Sequence, residues 1–307
     1  MKNISMLASV AIGALLLAVP ALAAEKLRVN LCTGGEGKPY NLTGEYIQGF
    51  LKDSRNIDLQ IVTSKGTWDN IERTVMMQQT PESIANGDAC QAFIGQPDGA
   101  VLLKRKNPAA AANLRIIGQG PREFLHVLCS KESGVDDLGD LSGDSTKSVA
   151  LGSQGSGAWL IWQNFVAEDK SYGDVQVTPE DGAIALSSVA NNTTTCALIP
   201  AALGNATVVQ ADTDFGDQLT LAGANDMDFN DAVNIDGKPL YRWQDIPSGT
   251  YPVNLQGWFS GKETVAWTAG IYVNTRYFDG NQKALEELIT AVAKAKPAIK
   301  NTFGTLE

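Results

Sequence analysis

Histidine is almost absent: the 307 residues contain one, His126. Cysteine is sparse, and Cys32, Cys90, Cys129 and Cys196 nowhere show the C-x-x-C spacing of a metal site. Bases are outnumbered, 24 Lys and Arg against 34 Asp and Glu, for a formal charge of −10. A chain this acidic is repelled by nucleic acid and by anionic headgroups, so neither is an expected partner. Beyond the N-terminus no segment is apolar enough to span a bilayer. Charged residues make up only 19%, while hydrophobic residues reach 44%. That is ample apolar material for a core and excludes disorder.

Several motifs are also missing. There is no G-x-x-x-x-G-K-[ST], and Gly35-x-Gly37 lacks the later glycine of a dinucleotide fingerprint. Ser156 stands between adjacent glycines, which is not the G-x-S-x-G elbow of a hydrolase. A hydrolytic site from His126, Cys129 and Ser156 is a weak reading, because His126 lies inside a strand, where a structural role is expected. Asp212-x-Asp214 and Asp226-x-Asp228-x-Asn230 lack the Gly and Glu of a calcium loop, so solvated acidic loops are expected. No cofactor and no metal are expected.

What is present begins with an export signal. Lys2 precedes an apolar stretch, residues 6–19, then Pro20 and Ala21-Leu22-Ala23. This is the pattern of a signal peptide over residues 1–23, cleaved before Ala24. Removal takes one Lys and no acid, leaving 23 bases against 34 acids, a net charge of −11. In an exported chain four cysteines suggest disulfides, with three possible pairings; buried free thiols are the alternative.

Strand patterns at 27–31, 57–62, 92–94 and 114–117 alternate with helical patterns at 43–51, 68–78 and 99–106. Parallel strands follow from that alternation. A strand at 123–129 leads to a second run, with strands at 147–151, 175–177, 197–199 and 207–209 and helices at 159–167 and 183–190. Residues 212–250 read as loop, 264–273 as strand and 281–295 as helix. The expectation is an α/β fold of two lobes, each a mostly parallel sheet flanked by helices, joined by two hinge strands. Lobe one takes residues 24–127 and 266–307, and lobe two takes 128–265.

Four loops between a strand's carboxyl end and the next helix are rich in small residues: 33–37, 64–67, 96–98 and 153–157. Ligands of open α/β sheets bind there. Helix N-termini at these places offer unpaired N–H groups that suit a carboxylate or phosphate. Trp68, Trp159, Trp162 and Trp258 are candidate ligand walls, with core packing the alternative for each.

The order of these pieces resembles the TAXI family of TRAP-transporter solute receptors, within the type II periplasmic binding fold. The matching residues are Thr33-Gly34-Gly35-Glu36-Gly37-x-x-Tyr40, Thr63-Ser64-x-Gly66-x-x-x-Asn70 and Gln96-Pro97-Asp98. Glu123-x-Leu125-His126-Val127, Asp140-Leu141-x-Gly143, Gly152-x-x-Gly155-Ser156-Gly157 and Ile246-Pro247-x-Gly249-x-Tyr251 follow. The resemblance implies a periplasmic monomer that does no chemistry. It would capture a small carboxylate such as glutamate or a related dicarboxylate and deliver it to a TRAP-type membrane permease. An ABC-type receptor for an amino acid or organic anion is the alternative.

The ligand residues implied are Gly35, Glu36, Gly37 and Tyr40, Ser64 and Asn70, Gln96 and Asp98, and Gln154, Gly155, Ser156, Gly157, Ala158 and Trp159. The amides of residues 155–158 and the Ser156 hydroxyl would hold a carboxylate. Tyr40 would cover the apolar part, Gln96 and Asn70 would orient it, and Glu36 or Asp98 would meet an ammonium. Ala158 stands where the family commonly has Thr, which removes one hydroxyl, and Trp159 adds an aromatic wall.

Overall fold

The computed structural model describes residues 26–256 and 261–304. The expected signal peptide and Trp258 lie outside the described residues. The chain runs β1 (Leu27–Cys32), α1 (Pro39–Gly49), β2 (Ile57–Val62), α2 (Thr67–Ile71), α3 (Pro81–Ala85), β3 (Ala92–Gly95), α4 (Pro97–Lys106) and α5 (Pro108–Ala111). It continues with β4 (Leu114–Ser130), β5 (Ser148–Ala150), α6 (Gly157–Glu168), β6 (Gln176–Thr178), α7 (Gly182–Ala190) and β7 (Cys196–Ala201). The last elements are α8 (Ala206–Asp214), β8 (Leu219–Ala222), β9 (Arg242–Ile246), β10 (Lys262–Asn274) and α9 (Gln282–Phe303).

These strands form one mixed sheet in the order β2-β1-β3-β10-β4-β7-β5-β6, with β8 on β4 and β9 on β10. Between the strands named here, parallel pairing is confined to the two outer triplets, β2-β1-β3 and β7-β5-β6. The two long strands β4 and β10 run antiparallel to their neighbours and join the triplets. The α/β class and the two-lobed arrangement therefore hold. Phe124 marks the crossing: it pairs with Ala266 on one side and Ala201 on the other.

Each lobe has its own core. In the first, Val29, Leu31, Ala92 and Ile94 meet the apolar face of α9, where Ala284, Leu288, Val292 and Ala295 recur every three or four residues. In the second, Trp162, Phe165, Tyr172 and Phe229 pack together, Phe165 and Phe229 with ring centroids 3.7 Å apart. All four cysteines are paired: Cys129 with Cys196 inside the second core, and Cys32 with Cys90 in a smaller cluster of the first lobe with Ile71, Phe93 and Leu103.

Several expectations need correction. Residues 207–209 are a turn of α8 and not a strand. The Asn205 side chain accepts from the Thr207 amide, and Val208, Ala211 and Asp212 share a buried face, so capping and packing override the β-branched run. Residues 212–250 are not all loop, since β8 and β9 lie there. Each is a short strand held by a hinge strand: Leu219–Ala222 against residues 127–130, and Arg242–Ile246 against residues 262–266. Strands expected at 114–117 and 123–129 are one strand, whose irregular Gly118–Pro121 stretch is accommodated by register shifts along β10. Helix α1 starts at Pro39, four residues early, because proline's fixed φ suits a first helical position.

Candidate functional site

The carboxyl ends of β1, β2 and β3 lie along one edge because those strands are parallel, and their loops form one wall of a cleft. Asn70 braces that wall. Its amide nitrogen donates to the carbonyls of Thr33 (2.7 Å) and Ile94 (2.9 Å), tying the loops after β1 and β3 together. The Gln96 amide donates to the Thr67 hydroxyl at 3.0 Å, which ties the third loop to the start of α2. Within the rim, the Gly66 amide donates to Ser64 Oγ (3.3 Å) and the Gly37 amide to Asn41 Oδ1 (3.0 Å).

The opposite wall is the start of α6. Here two glycines allow close approaches, to Trp68 and Gln96 of the other wall and to Pro200 of the same lobe. A Cβ on Gly155 would stand 3.0 Å from Trp68 Cβ, and one on Gly157 would stand 2.9 Å from Gln96 Oε1 and 3.0 Å from Pro200 Cγ. Gly155 also has φ +88°, a conformation that L side chains rarely adopt. The first amides of α6, at Gly157 and Ala158, have no intrahelical partner by construction. Ser156 caps its own helix: its hydroxyl accepts from the Trp159 amide at 3.1 Å and donates to the Leu151 carbonyl. That hydroxyl is therefore already bonded twice within its lobe, whereas it was expected to face a ligand.

The cleft floor holds two buried carboxylates. Glu123, on hinge strand β4, accepts from the Tyr40 hydroxyl (2.9 Å) and the Trp267 indole (2.8 Å). Burial raises its pKa to about 7, against those bonds and one from Gln96, and the nearby charge of Asp98 adds to the rise. Asp98 accepts from Asn164 Nδ2 (2.9 Å) and from the Tyr241 hydroxyl, and burial raises its pKa too. Asn164 and Tyr241 belong to the other side of the hinge, so Asp98 bonds across the interface. Lys106 reinforces the crossing, its Nζ lying 5.7 Å from the Trp68 ring and 5.4 Å from the Trp159 ring.

Of the expected ligand residues, Tyr40, Asn70, Gln96, Asp98, Gly155 and Gly157 converge on the floor or the contact between walls. Glu36 and Gln154 are exposed on the rim with Gly35 and Gly37, Ser64 is half-buried in the same rim, and Ala158 and Trp159 follow Gly157 in the first turn of α6. Trp162 is core. Glu123, Trp267, Tyr241 and Asn164 were not among the expected ligand residues. An acid heading the strand pattern 123–129 was the available signal for Glu123; the other three carry no local mark.

The other candidate chemistries resolve into structure. His126 is fully buried, with Nδ1 facing the Ile199 carbonyl (3.1 Å) and Nε2 facing the Tyr251 hydroxyl (2.8 Å). Cys129 is in a disulfide. Asp212 corrects the expectation of a solvated loop: it is 3% exposed on α8 and accepts the amides of Val253, Asn254 and Leu255 at 3.0, 2.7 and 2.7 Å. Asp226 accepts from the Tyr172 hydroxyl at 2.6 Å. Among the described residues no cluster of His, Cys, Asp and Glu is placed to hold a metal, and no helix is long and apolar enough to cross a membrane.

A profile of the NMT1-like family matches residues 31–290. No curated protein matches the chain in sequence. Among solved structures it is similar to a periplasmic sulfonate-binding protein of an ABC transporter from Methylobacillus flagellatus KT. There the identity is 13%, the TM-score 0.50, and the match covers 91% of this chain and 71% of that one. It is also similar to the periplasmic aliphatic sulphonate binding protein of Escherichia coli, at 12% identity and TM-score 0.48, covering 92% and 80%. A TRAP periplasmic solute binding protein from Desulfovibrio desulfuricans, with bound sn-glycerol-3-phosphate, matches at 13% identity and TM-score 0.46, covering 90% and 79%. At these identities the likeness concerns the fold.

Proposed function

Because the chain belongs to the NMT1-like family, we propose that it is the solute-binding receptor of a membrane transporter, closing two lobes on a small ligand. The observation that carries this reading is the contact across the cleft. Gln96 of one wall meets Gly157 of the other so closely that a Cβ there would stand 2.9 Å from Gln96 Oε1. A solute seated between the walls gains contacts from both, and that difference is what shifts the population towards closure.

In this reading residues 24–127 with 266–307 form one lobe and 128–265 the other. A ligand carboxylate goes to the Gly157 and Ala158 amides at the start of α6, where the helix dipole favours negative charge. The resemblance to TAXI receptors favours a TRAP-type permease as the partner and glutamate or a related dicarboxylate as the solute. An ABC-type permease is the second partner reading, since the fold is shared with a receptor of that class. In this reading residues 1–23 are a cleaved signal peptide, and the mature chain, starting at Ala24, works in the periplasm.

The test is to purify the exported protein, release small molecules by denaturation and identify them by mass spectrometry. Small-angle scattering is then compared for the stripped and the reloaded protein. A stoichiometric solute that makes the protein more compact supports the proposal. Absence of any bound solute from protein that is folded and exported sinks it.

A further inference from the structure

Between the hinge strands and a turn of the second lobe lies a cavity of about 360 Å³ that the cleft does not use. Its floor comes from Gly118 and Gln119 of β4 and residues 267–270 of β10, and its roof from the turn that ends at Leu240. None of Asn70, Gln96, Asp98 and Glu123 stands in its wall, so it is separate from the cleft floor. Trp267 belongs to both, since its indole N–H donates to Glu123 at 2.8 Å.

The roof is built and seated. The Leu240 amide donates to the Ala232 carbonyl and the Asn234 amide to the Lys238 carbonyl, both at 2.8 Å. Asn234 Oδ1 accepts the amides of Asp236 (2.9 Å) and Lys238 (3.1 Å), which fixes the turn from within. Ile235 packs onto the first-lobe cluster of Ile71, Phe93 and Leu103, and Lys104 Nζ donates to its carbonyl at 3.5 Å. The space is therefore enclosed by parts from both sides of the hinge.

Two hydroxyls in the wall are unused. Tyr272 is fully buried, and its hydroxyl has no hydrogen-bond partner among the described residues; the buried hydroxyl of Thr268 has none either. A Cβ on Gly270 would stand 2.6 Å from the Tyr272 hydroxyl oxygen, so this glycine makes the room that the hydroxyl occupies. Burial, with the charges of Asp98 and Asp236, raises the Tyr272 pKa, so the group keeps its proton and remains a donor. A buried donor without a partner costs stability until an acceptor meets it. Charge decides which acceptor suits. The wall holds two bases, Lys238 and Arg242, against one acid, Asp236, and Lys238 enters no ion pair with a described residue. Pro97, Ile116 and Leu240 add apolar surface, and the volume is that of a small-metabolite site.

We propose that this cavity is an accessory site for a small organic oxyanion, a carboxylate or sulfonate on an apolar body, and that its occupant favours closed lobes. The oxyanion accepts from the Tyr272 and Thr268 hydroxyls and meets the charge of Lys238. The apolar body lies against Pro97, Leu240 and Trp267. The site stands on the cavity by itself, whereas the effect on closure rests on the receptor reading. An occupant touches the hinge and the second-lobe roof together, and it loses half of those contacts if the roof lifts.

The experiment maps amide chemical shifts of the isotope-labelled mature protein during titration with benzoate and benzenesulfonate. Benzamide and benzylamine serve as the neutral and cationic counterparts. The expected result is saturable shifts at residues 118–119, 234–240 and 268–270 that exceed those at 155–158. An oxyanion should bind about tenfold more tightly than benzamide or benzylamine, and the tighter of the two oxyanions names the head group. Lys238→Glu, on an exposed turn, should weaken benzoate about tenfold, and Tyr272→Phe should weaken it about fivefold. The wild-type map and Lys238→Glu stand as tests even if Tyr272→Phe fails to fold. Shifts confined to residues 155–158, equal binding of benzamide, or no saturable shift overturns the site. Small-angle scattering with saturating benzoate should show a more compact protein, and an unchanged profile overturns the effect on closure. The receptor reading is decided separately, by the mass spectrometry of carried solute.

Discussion

The hydroxyl of Tyr251 donates to Nε2 of His126 across 2.8 Å, and Nδ1 of the same ring gives its own proton to the Ile199 carbonyl at 3.1 Å. The two bonds select one neutral tautomer. Burial agrees with them, lowering the histidine pKa to about 4. Tyr251 in turn accepts the Gly204 amide at 3.1 Å. One imidazole thus clamps β4, β7 and the segment after β9.

Tyr251→Phe leaves a buried nitrogen without its donor and should cost about 1–3 kcal/mol, read as a lower urea midpoint at pH 7. An unchanged midpoint would show that the clamp contributes nothing.

The pH dependence follows from two opposed groups. His126 has a depressed pKa, so its contribution is complete above 6.5 and lost as pH falls towards about 4. Glu123 has a raised pKa, so its contribution is complete below 4.5 and lost as pH rises through about 7. Each is worth roughly 3 kcal/mol, and between pH 4.5 and 6.5 they cancel in large part. Glu123→Gln removes one of them, and stability should then fall steeply below pH 6.5. Urea titrations at pH 4.5, 5.5, 6.5 and 7.5 check this; identical profiles for variant and wild type refute the assignment.

Gly157→Ala puts a methyl group 2.9 Å from Gln96 Oε1. Gly157 has no positive φ, so the lobe itself is expected to fold with a melting temperature within a few degrees of wild type. Closure should suffer, with ligand affinity down at least tenfold and a more open scattering profile in the presence of ligand.

Replacing either disulfide by paired alanines frees a loop of 58 or 67 residues in the unfolded chain. Loop-closure entropy then predicts a loss of about 4 kcal/mol for each. Denaturation of the two double variants measures it. A loss below about 1 kcal/mol for both would place the stability of the lobes elsewhere.

Much of the outer sheet was legible in the amino-acid sequence. Residues 57–62 alternate as a strand and are one, and proline and glycine punctuate the loops that carry the cleft. Failures came where distant contacts decide. Thr207, Val208 and Val209 have strand propensity, yet a capping Asn205 and a buried helical face make them α8. Leu219–Ala222 and Arg242–Ile246 are too short to declare themselves, and they exist as strands because β4 and β10 offer them edges. The Ser156 hydroxyl reads equally well as a ligand donor or as a helix cap, and only the position of the Leu151 carbonyl decides. Glu123 stood in plain view, but its meaning depends on Tyr40 and Trp267, one far upstream and one far downstream in the chain.

The pairing of β3 with β10 has a consequence for the order of events as the chain is made. The edge of β3 is completed by residues 270–273, some 175 residues further along. Until that stretch is available, the β2-β1-β3 triplet has an open, fully apolar border of Ala92, Phe93 and Ile94. The N-terminal part of this protein therefore cannot finish folding while its C-terminal part is still being synthesised. A nascent or truncated chain ending before β10 should behave as a sticky, protease-sensitive species that has to be shielded until the rest arrives.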